Sequence, residues 1–310
     1  MKFATLFIAV LACLSTVPLQ AQSDAFLGEY PLGGSLETLS VKIEANAGAI
    51  ERYDAPKVRF PQALKAETHI LARDLQVAGG TLERAVFTFA DGKLVAMQGR
   101  GGVNALLDAA GPGSYQTYDA YRFYGDAGVV VHPGQDRLWL LDEEGMHLNL
   151  FGWKHPMLEA GFDGWPDEPG SVEVPEYLRM GASLAELEPS LKQASELIIR
   201  DTLDGSDPNA QLQLNCYGIP FAGFSRKVEA RFGNDTLNTV WILTARAEED
   251  RLRKQLTGRY GPPVFVSDAW EAFSDWQVFL RKDKPEILLL TPKLGHFYRD
   301  TYFTKQPDGE

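Results

Sequence analysis

Alternation of apolar and polar positions is the strongest signal in the chain. In VAGGTLERAVFTFADGKLVAM (77–97), Val86, Thr88 and Ala90 interleave with Phe87 and Phe89 ahead of Asp91-Gly92 and Leu94. Period-two alternation marks a strand, and an Asp-Gly pair between two such runs marks a two-residue hairpin, because both central residues need positive φ. The same grammar returns in FAGFSRKVEARFGNDTLNTVW (221–241), where Val228, Ala230 and Phe232 lead into Asn234-Asp235 and Leu237. The runs VVVH, RLWLL, VFLR and EILLL, rich in leucine and β-branched residues, read as further strands.

Helical spacing appears in matching places. LGGSLETL (32–39) returns as MGASLAEL (180–187), and NALLDAAGPG (104–113) faces RKQLTGRYGPP (253–263). In the second pair a short helical pattern stops at Gly111-Pro112 or Gly261-Pro262, since glycine accepts the left-handed backbone and proline cannot continue the ladder. YRFYGDAGVVVHPGQDRLWLLD (121–142) then aligns without gaps to WEAFSDWQVFLRKDKPEILLLT (270–291). The common order and near-constant spacing predict an internal duplication at domain scale.

Each copy runs helix, strands, helix, strands, and its hairpins require antiparallel pairing. The expected class is α+β: two tandem duplicated domains, each an antiparallel sheet with helices on one face. The expected division is a signal peptide at 1–21, a first repeat at 22–150, a linker at 151–179 rich in Gly, Pro and aromatics, a second repeat at 180–304 and a frayed tail at 305–310.

The amino end changes the picture of location. Lys2 is the only charge before Asp24, and the apolar run behind it is too short for a comfortable membrane span. It reads as a cleaved leader with processing near Ala21, and Val10-Leu11-Ala12-Cys13 offers lipoprotein processing as the alternative. No later stretch is long and apolar enough to cross a bilayer. The expected location is periplasmic or secreted. Removing the leader leaves Cys216 alone, so no intrachain disulfide is expected; its apolar neighbours in QLQLNCYGI mark it as a buried core thiol.

Across 310 residues there are 30 basic and 42 acidic side chains, a formal charge of -12. That balance disfavours nucleic acid and anionic membrane surfaces as partners. The acids are dispersed and read as a solvated surface.

Paired helix-plus-sheet units, each opening with a Gly-x-Ser-Leu helix entry (Gly33 to Leu36, Gly181 to Leu184), resemble the β-lactamase-inhibitor-protein and outer-membrane assembly lipoprotein (SmpA/BamE-like) group of small exported domains. The resemblance implies a non-catalytic role in protein binding.

Motifs for chemistry are absent. His69, His132, His147, His155 and His296 form neither HExxH nor a close pair, so each is expected at the surface or a strand edge, and no metal or cofactor is expected. GFSRK (223–227) lacks the last glycine of a nucleophile elbow. DTLDGSDPN (201–209) clusters three aspartates without the spacing of a calcium loop. Glu248-Glu249-Asp250 suits the first turn of a helix.

Three functions remain open: binding of another protein by a sheet face or the crevice between domains, binding of a small apolar or peptide ligand between the domains, and an exported hydrolase with a dispersed site. The first is preferred. Its candidate contacts are Tyr121, Phe123 and Trp139 in the first copy, Trp270, Phe273 and Trp276 in the second, and Trp153 and Trp165 on the linker, which alternatively pin that segment in place. Neighbouring strand residues point oppositely, so about half of the strand candidates belong to the core. No catalytic residue is assigned.

Overall fold

A computed structural model describes residues 26–159, 161, 162, 164 and 170–303. The leader at 1–21 with Cys13 and Ala21, Trp165 and the tail at 305–310 lie outside the described residues.

The first half runs α1 (Leu36–Asn46), β1 (Ala49–Asp54), β2 (Glu67–Val77), β3 (Gly80–Ala90), β4 (Lys93–Arg100), α2 (Val103–Ala110), β5 (Gln116–Tyr118), β6 (Tyr121–Tyr124), β7 (Val129–His132), β8 (Arg137–Leu141) and α3 (Glu143–His147). The second repeats it as α4 (Leu184–Ala194), β9 (Leu197–Thr202), β10 (Leu212–Phe221), β11 (Phe224–Gly233), β12 (Thr236–Leu243), α5 (Glu249–Tyr260), β13 (Phe265–Val266), β14 (Trp270–Phe273), β15 (Val278–Arg281), β16 (Glu286–Leu290) and α6 (Pro292–Tyr298). Each half folds one antiparallel eight-stranded sheet, ordered β1-β2-β3-β4-β8-β7-β6-β5 and β9-β10-β11-β12-β16-β15-β14-β13. The two orders are the same, position for position. The fold is α+β with two tandem sheet domains.

The recurring Gly-x-Ser-Leu has a structural cause. Gly33 and Gly181 have φ of +78° and +83°, a region that favours glycine. The serine two residues on caps the helix: Ser35 Oγ accepts Thr38 N–H at 3.2 Å, and Ser183 forms a capping box with Glu186. Each entry is also stitched to the hairpin beside it. Leu36 N–H donates to Gly92 O at 2.8 Å, and Leu184 N–H to Asp235 O at 3.1 Å. At those turns Asp91, Gly92, Asn234 and Asp235 all have positive φ, the conformation the Asp-Gly and Asn-Asp pairs predict.

Each helix pair packs on one face of its sheet. Leu39 and Ile43 of α1, one turn apart, join Val103 and Leu106 of α2 over Ile70, Ala72, Ala85, Phe87 and Met97. In the second half Leu187, Leu191, Leu252 and Leu256 cover Leu214, Cys216, Val228 and Ala230. The shorter helices turn to the other face. Leu294 of α6 packs with Trp276, Phe279 and Leu288 on the second sheet.

The segment after α3 departs from an open linker. Leu148, Leu150, Phe151 and Trp153 are buried between the outer face of the first sheet and Leu197, Tyr217 and Phe224 of the second half. Large apolar groups on a segment that lacks periodicity must still leave water, and here they do so against both sheets and the loop that carries Phe60 and Ala63. Gly152 makes the approach close: a Cβ there would stand 2.8 Å from Gly218 N. Arg251 of α5 ties the halves further, donating to Ala63 O at 2.7 Å and to Phe60 O at 3.0 Å.

Candidate functional site

The outer face of the first sheet carries two polar arrangements. Both are built by strand register.

The first is buried. Glu67 and His69 lie two apart on β2 and therefore share a face, with Thr88 directly opposite His69 on β3. His155, on the segment after α3, closes over them. Its own N–H donates to Gln98 Oε1 at 2.8 Å, and its Nδ1 accepts Met157 N–H at 3.2 Å. That leaves the His155 proton on Nε2, which donates to His69 Nδ1 at 3.0 Å. His69 in turn donates from Nε2 to Glu67 Oε1 at 2.8 Å, while Glu67 Oε2 accepts the N–H groups of Arg59 and Phe60 at 2.5 and 2.8 Å. The result is a chain in which donation from the segment through His69, and from the loop, converges on Glu67.

Burial and hydrogen bonding shift the two ends of this chain. Burial alone raises the Glu67 carboxyl, but the His69 hydrogen bond and the two backbone donors outweigh it and hold the group below its usual range. Burial, with His69 beside it, pushes the His155 imidazole well below its ordinary value, so it stays neutral. The surface position expected for these two histidines is thus corrected: both are 0 % exposed. They pair at 86 residues' separation, so no local spacing marks them. The Glu-x-His on a strand was the readable half of the signal.

Thr88 Oγ1 stands 3.1 Å from His69 Nδ1, so acid, imidazole and hydroxyl are in line. Thr88 is only 1 % exposed, and His155 occupies the same nitrogen. A substrate carbonyl has no route to that hydroxyl in this conformation. The arrangement binds the segment to the sheet.

The second arrangement reaches solvent. Arg73 on β2 pairs with Arg84 on β3, Arg84 with Arg100 on β4, and Arg100 with Arg137 on β8. Four arginines thus stand in one row across four adjacent strands, their backbones roughly 5 Å apart. They face away from α1 and α2, because Ala72, Ala85 and Leu138 beside them point into the helix-covered core. Among the described residues two acids answer them. Glu159 binds Arg137 Nη2 at 2.5 Å and lies 3.9 Å from Arg100, and Glu51 lies 3.8 Å from Arg73. Arg84 has no hydrogen bond or ion pair among the described residues. Arg137 is 5 % exposed, and its Nη1 has no hydrogen-bond partner among the described residues.

Beside the row is a cavity of about 250 Å³ lined by Arg73, Arg84, Glu51, Glu159, Leu71 and Met157, among others. Leu71, Val86, Met157 and Leu158 form a small apolar cluster separating it from the histidine chain. In the second sheet the equivalent row holds Tyr217 opposite Lys227 and Leu243 opposite Glu286. There Lys227 and Arg231 share Glu229, and Arg281 binds Glu286 and Asp283.

The aromatic candidates sit elsewhere. Tyr121, Trp139 and Trp153 are buried and Phe123 half-buried in the cluster between the halves, where Trp139 Nε1 donates to Trp153 O at 3.1 Å. Trp153 rests 4.6 Å from Phe224 and 5.5 Å from Phe60, ring centre to ring centre, and so pins its segment. Phe273 is in the helix-covered core, and Trp270 and Trp276 pack under α6 and Phe303. The seven that lie in the described residues are packing groups. Sequence reasoning passed over the arginines because they are far apart in the chain and come together only through strand register.

Among the described residues no cluster of His, Cys, Asp and Glu could hold a metal ion, and no helix is long and apolar enough to cross a membrane. Comparison with protein-family models, curated proteins and solved structures finds no match for this chain.

Proposed function

We propose that the chain is an exported, non-enzymatic binding protein that engages its partner through the outer face of the first sheet, at the arginine row. The carrying observation is the register Arg73–Arg84–Arg100–Arg137, answered among the described residues by Glu51 and Glu159. Like charges directly opposite one another on neighbouring strands are destabilising. A fold that keeps three such contacts in one half, and a compensated face in the other, is holding positive charge for something outside itself. The leader-like amino end supports export, and the resemblance to inhibitor and assembly domains adds to the binding reading. A partner presenting anionic groups fits the row.

The test is affinity capture from an envelope extract with the mature chain and with Arg84→Glu. Arg84 is partly exposed and unpaired, so its reversal leaves the fold intact. A stoichiometric partner held by the native chain, lost with Arg84→Glu and retained with Lys192→Glu on the exposed side of α4 supports the proposal. A partner held equally by all three places recognition on another surface and removes the reading.

A further inference from the structure

We infer that residues 155–159 form a pH-sensitive strap beside the arginine row, closed on the first sheet at neutral pH and lifted from it in mildly acid solution. This deepens the proposed function and rests on it only for what the uncovered face then binds.

The strap is a single 3-10 turn, Pro156–Leu158, which His155 caps with its own side chain, Nδ1 accepting Met157 N–H at 3.2 Å. One turn has little stability of its own, so contact with the sheet holds it. Met157 and Leu158 bury against Leu71 and Val86. Arg100 Nη1 donates to Leu158 O at 3.2 Å, and Arg137 Nη2 to Glu159 Oε1 at 2.5 Å. His155 adds its backbone N–H to Gln98 Oε1 and its Nε2 proton to His69 Nδ1. Phe151 and Trp153, just ahead of the strap, are anchored separately in the cluster between the halves. Opening is therefore local.

Both ring nitrogens of His155 are committed in the neutral form. A proton on Nδ1 sets donor against donor at Met157 N–H and places a charge in a fully buried site. Around the imidazole stand Glu67 and His69 of β2, the Thr88 hydroxyl of β3, Gln98 of β4, the Trp153 ring and, stacked on His69, Tyr53 of β1. Glu67 is the carboxylate of that set, and it is engaged by His69 and by the N–H groups of Arg59 and Phe60. The other charges are cations: Arg251 of α5, which interacts with Glu67, and Arg100 and Arg137 at the far end of the strap. None of them offsets a proton on His155.

Lifting the strap uncovers Leu71 and Val86 and withdraws Glu159 from Arg137 and Arg100, so an apolar strip opens beside a row that has lost one of its acids. In the lifted form the imidazole returns to water and to its ordinary value. Opening then takes up a proton, and its equilibrium constant rises about tenfold between pH 7.5 and 5.5.

The experiment is hydrogen–deuterium exchange of the full chain at those two pH values, corrected for the intrinsic exchange rate. Protection of the Leu158 and Glu159 N–H groups, which bond to His155 O and Pro156 O, is expected to fall about tenfold at pH 5.5 while that of β3 holds. His155→Asn keeps an acceptor for Met157 N–H and removes the titration, so its strap protection should be the same at both. The dye 1-anilinonaphthalene-8-sulfonate, apolar with one anionic group, probes the uncovered face; its fluorescence should rise at pH 5.5 with the native chain and not with His155→Asn. Strap protection equal at the two pH values, or lost together with that of β3, overturns the inference, and the native chain alone decides this if the variant does not fold. A pH response that His155→Asn retains, or lost protection without a dye response, overturns it as well. A strap indifferent to pH alongside capture that depends on Arg84 leaves the sheet-face reading standing without the switch; a responsive strap alongside capture indifferent to Arg84 does the opposite.

Discussion

His155 Nε2 lies 3.0 Å from His69 Nδ1, joining two strands of the first sheet to the segment that leads into the second half. Because His155 Nδ1 accepts Met157 N–H, protonating His155 would break that second contact and leave a charge in a dry site. Removing the imidazole takes away one of the two donors at His69 Nδ1, the Thr88 hydroxyl being the other, and strands the Met157 N–H in a dry site. His155→Phe is expected to cost about 1–3 kcal/mol, read as a fall in the urea midpoint at pH 7.5. An unchanged midpoint would show that the segment is held by its aromatic packing alone.

The same contact sets a pH dependence. Burial, then His69, keeps the folded-state value of His155 well below 6.5, so the unfolded chain binds this proton first as pH falls. The stabilisation is complete above about pH 6.5 and is lost as pH drops below it, before Glu67 begins to protonate. The native chain should lose more stability between pH 7.5 and 5.5 than His155→Phe does. Denaturation midpoints at the two pH values decide the matter, and parallel losses would count against a neutral buried imidazole.

Arg226 and Glu248 form a bidentate pair at 2.5 and 2.8 Å, both almost fully buried. Glu248 also accepts Ala245 N–H at 2.8 Å, anchoring the turn ahead of α5. Arg226→Met strands a carboxylate in the interior and should cost about 3–5 kcal/mol. The double variant Arg226→Met, Glu248→Met should cost less than Arg226→Met alone, as measured by chemical denaturation, because it leaves no unpaired charge.

Arg84 stands between Arg73 and Arg100 with no acid of its own. In buffer free of phosphate, Arg84→Gln should raise stability by about 0.2–1 kcal/mol by removing like-charge contacts across two strand pairs. A destabilised Arg84→Gln would mean that the guanidinium contributes packing that the row's charge does not explain.

Cys216 behaves as its neighbours in sequence foretell. Burial pushes its thiol up to about 12, so a thiol reagent at pH 8 should label the folded chain only at the rate of unfolding. Rapid labelling in native buffer would contradict this packing.

Much of this architecture is legible in the chain because it is written in local rules. Asp91-Gly92 and Asn234-Asp235 need positive φ whatever surrounds them, and Ser35 and Ser183 cap helices that begin at the next residue. The candidate site is written otherwise. Arg73 and Arg84 lie six and five residues from Gly79, so a reader who trusts that hairpin can pair them; Arg100 and Arg137 join only through the β4–β8 contact, which no local spacing encodes. His155 meets His69 through tertiary packing of a segment without periodicity. The aromatic candidates were visible as large rings, but whether a ring on a sheet is exposed depends on what covers that face, here Leu148 to Trp153 and α6.

The strand order carries a kinetic consequence. In each sheet every pairing joins strands consecutive in the chain except one, β4 with β8 and β12 with β16. Hairpins form early because their ends are close, while that single seam must wait for loop closure over the intervening strands. Substitutions at the seam, such as Met97 against Leu140 or Trp241 against Leu288, are therefore the ones that report whether zipping of two preformed meanders limits the rate of folding.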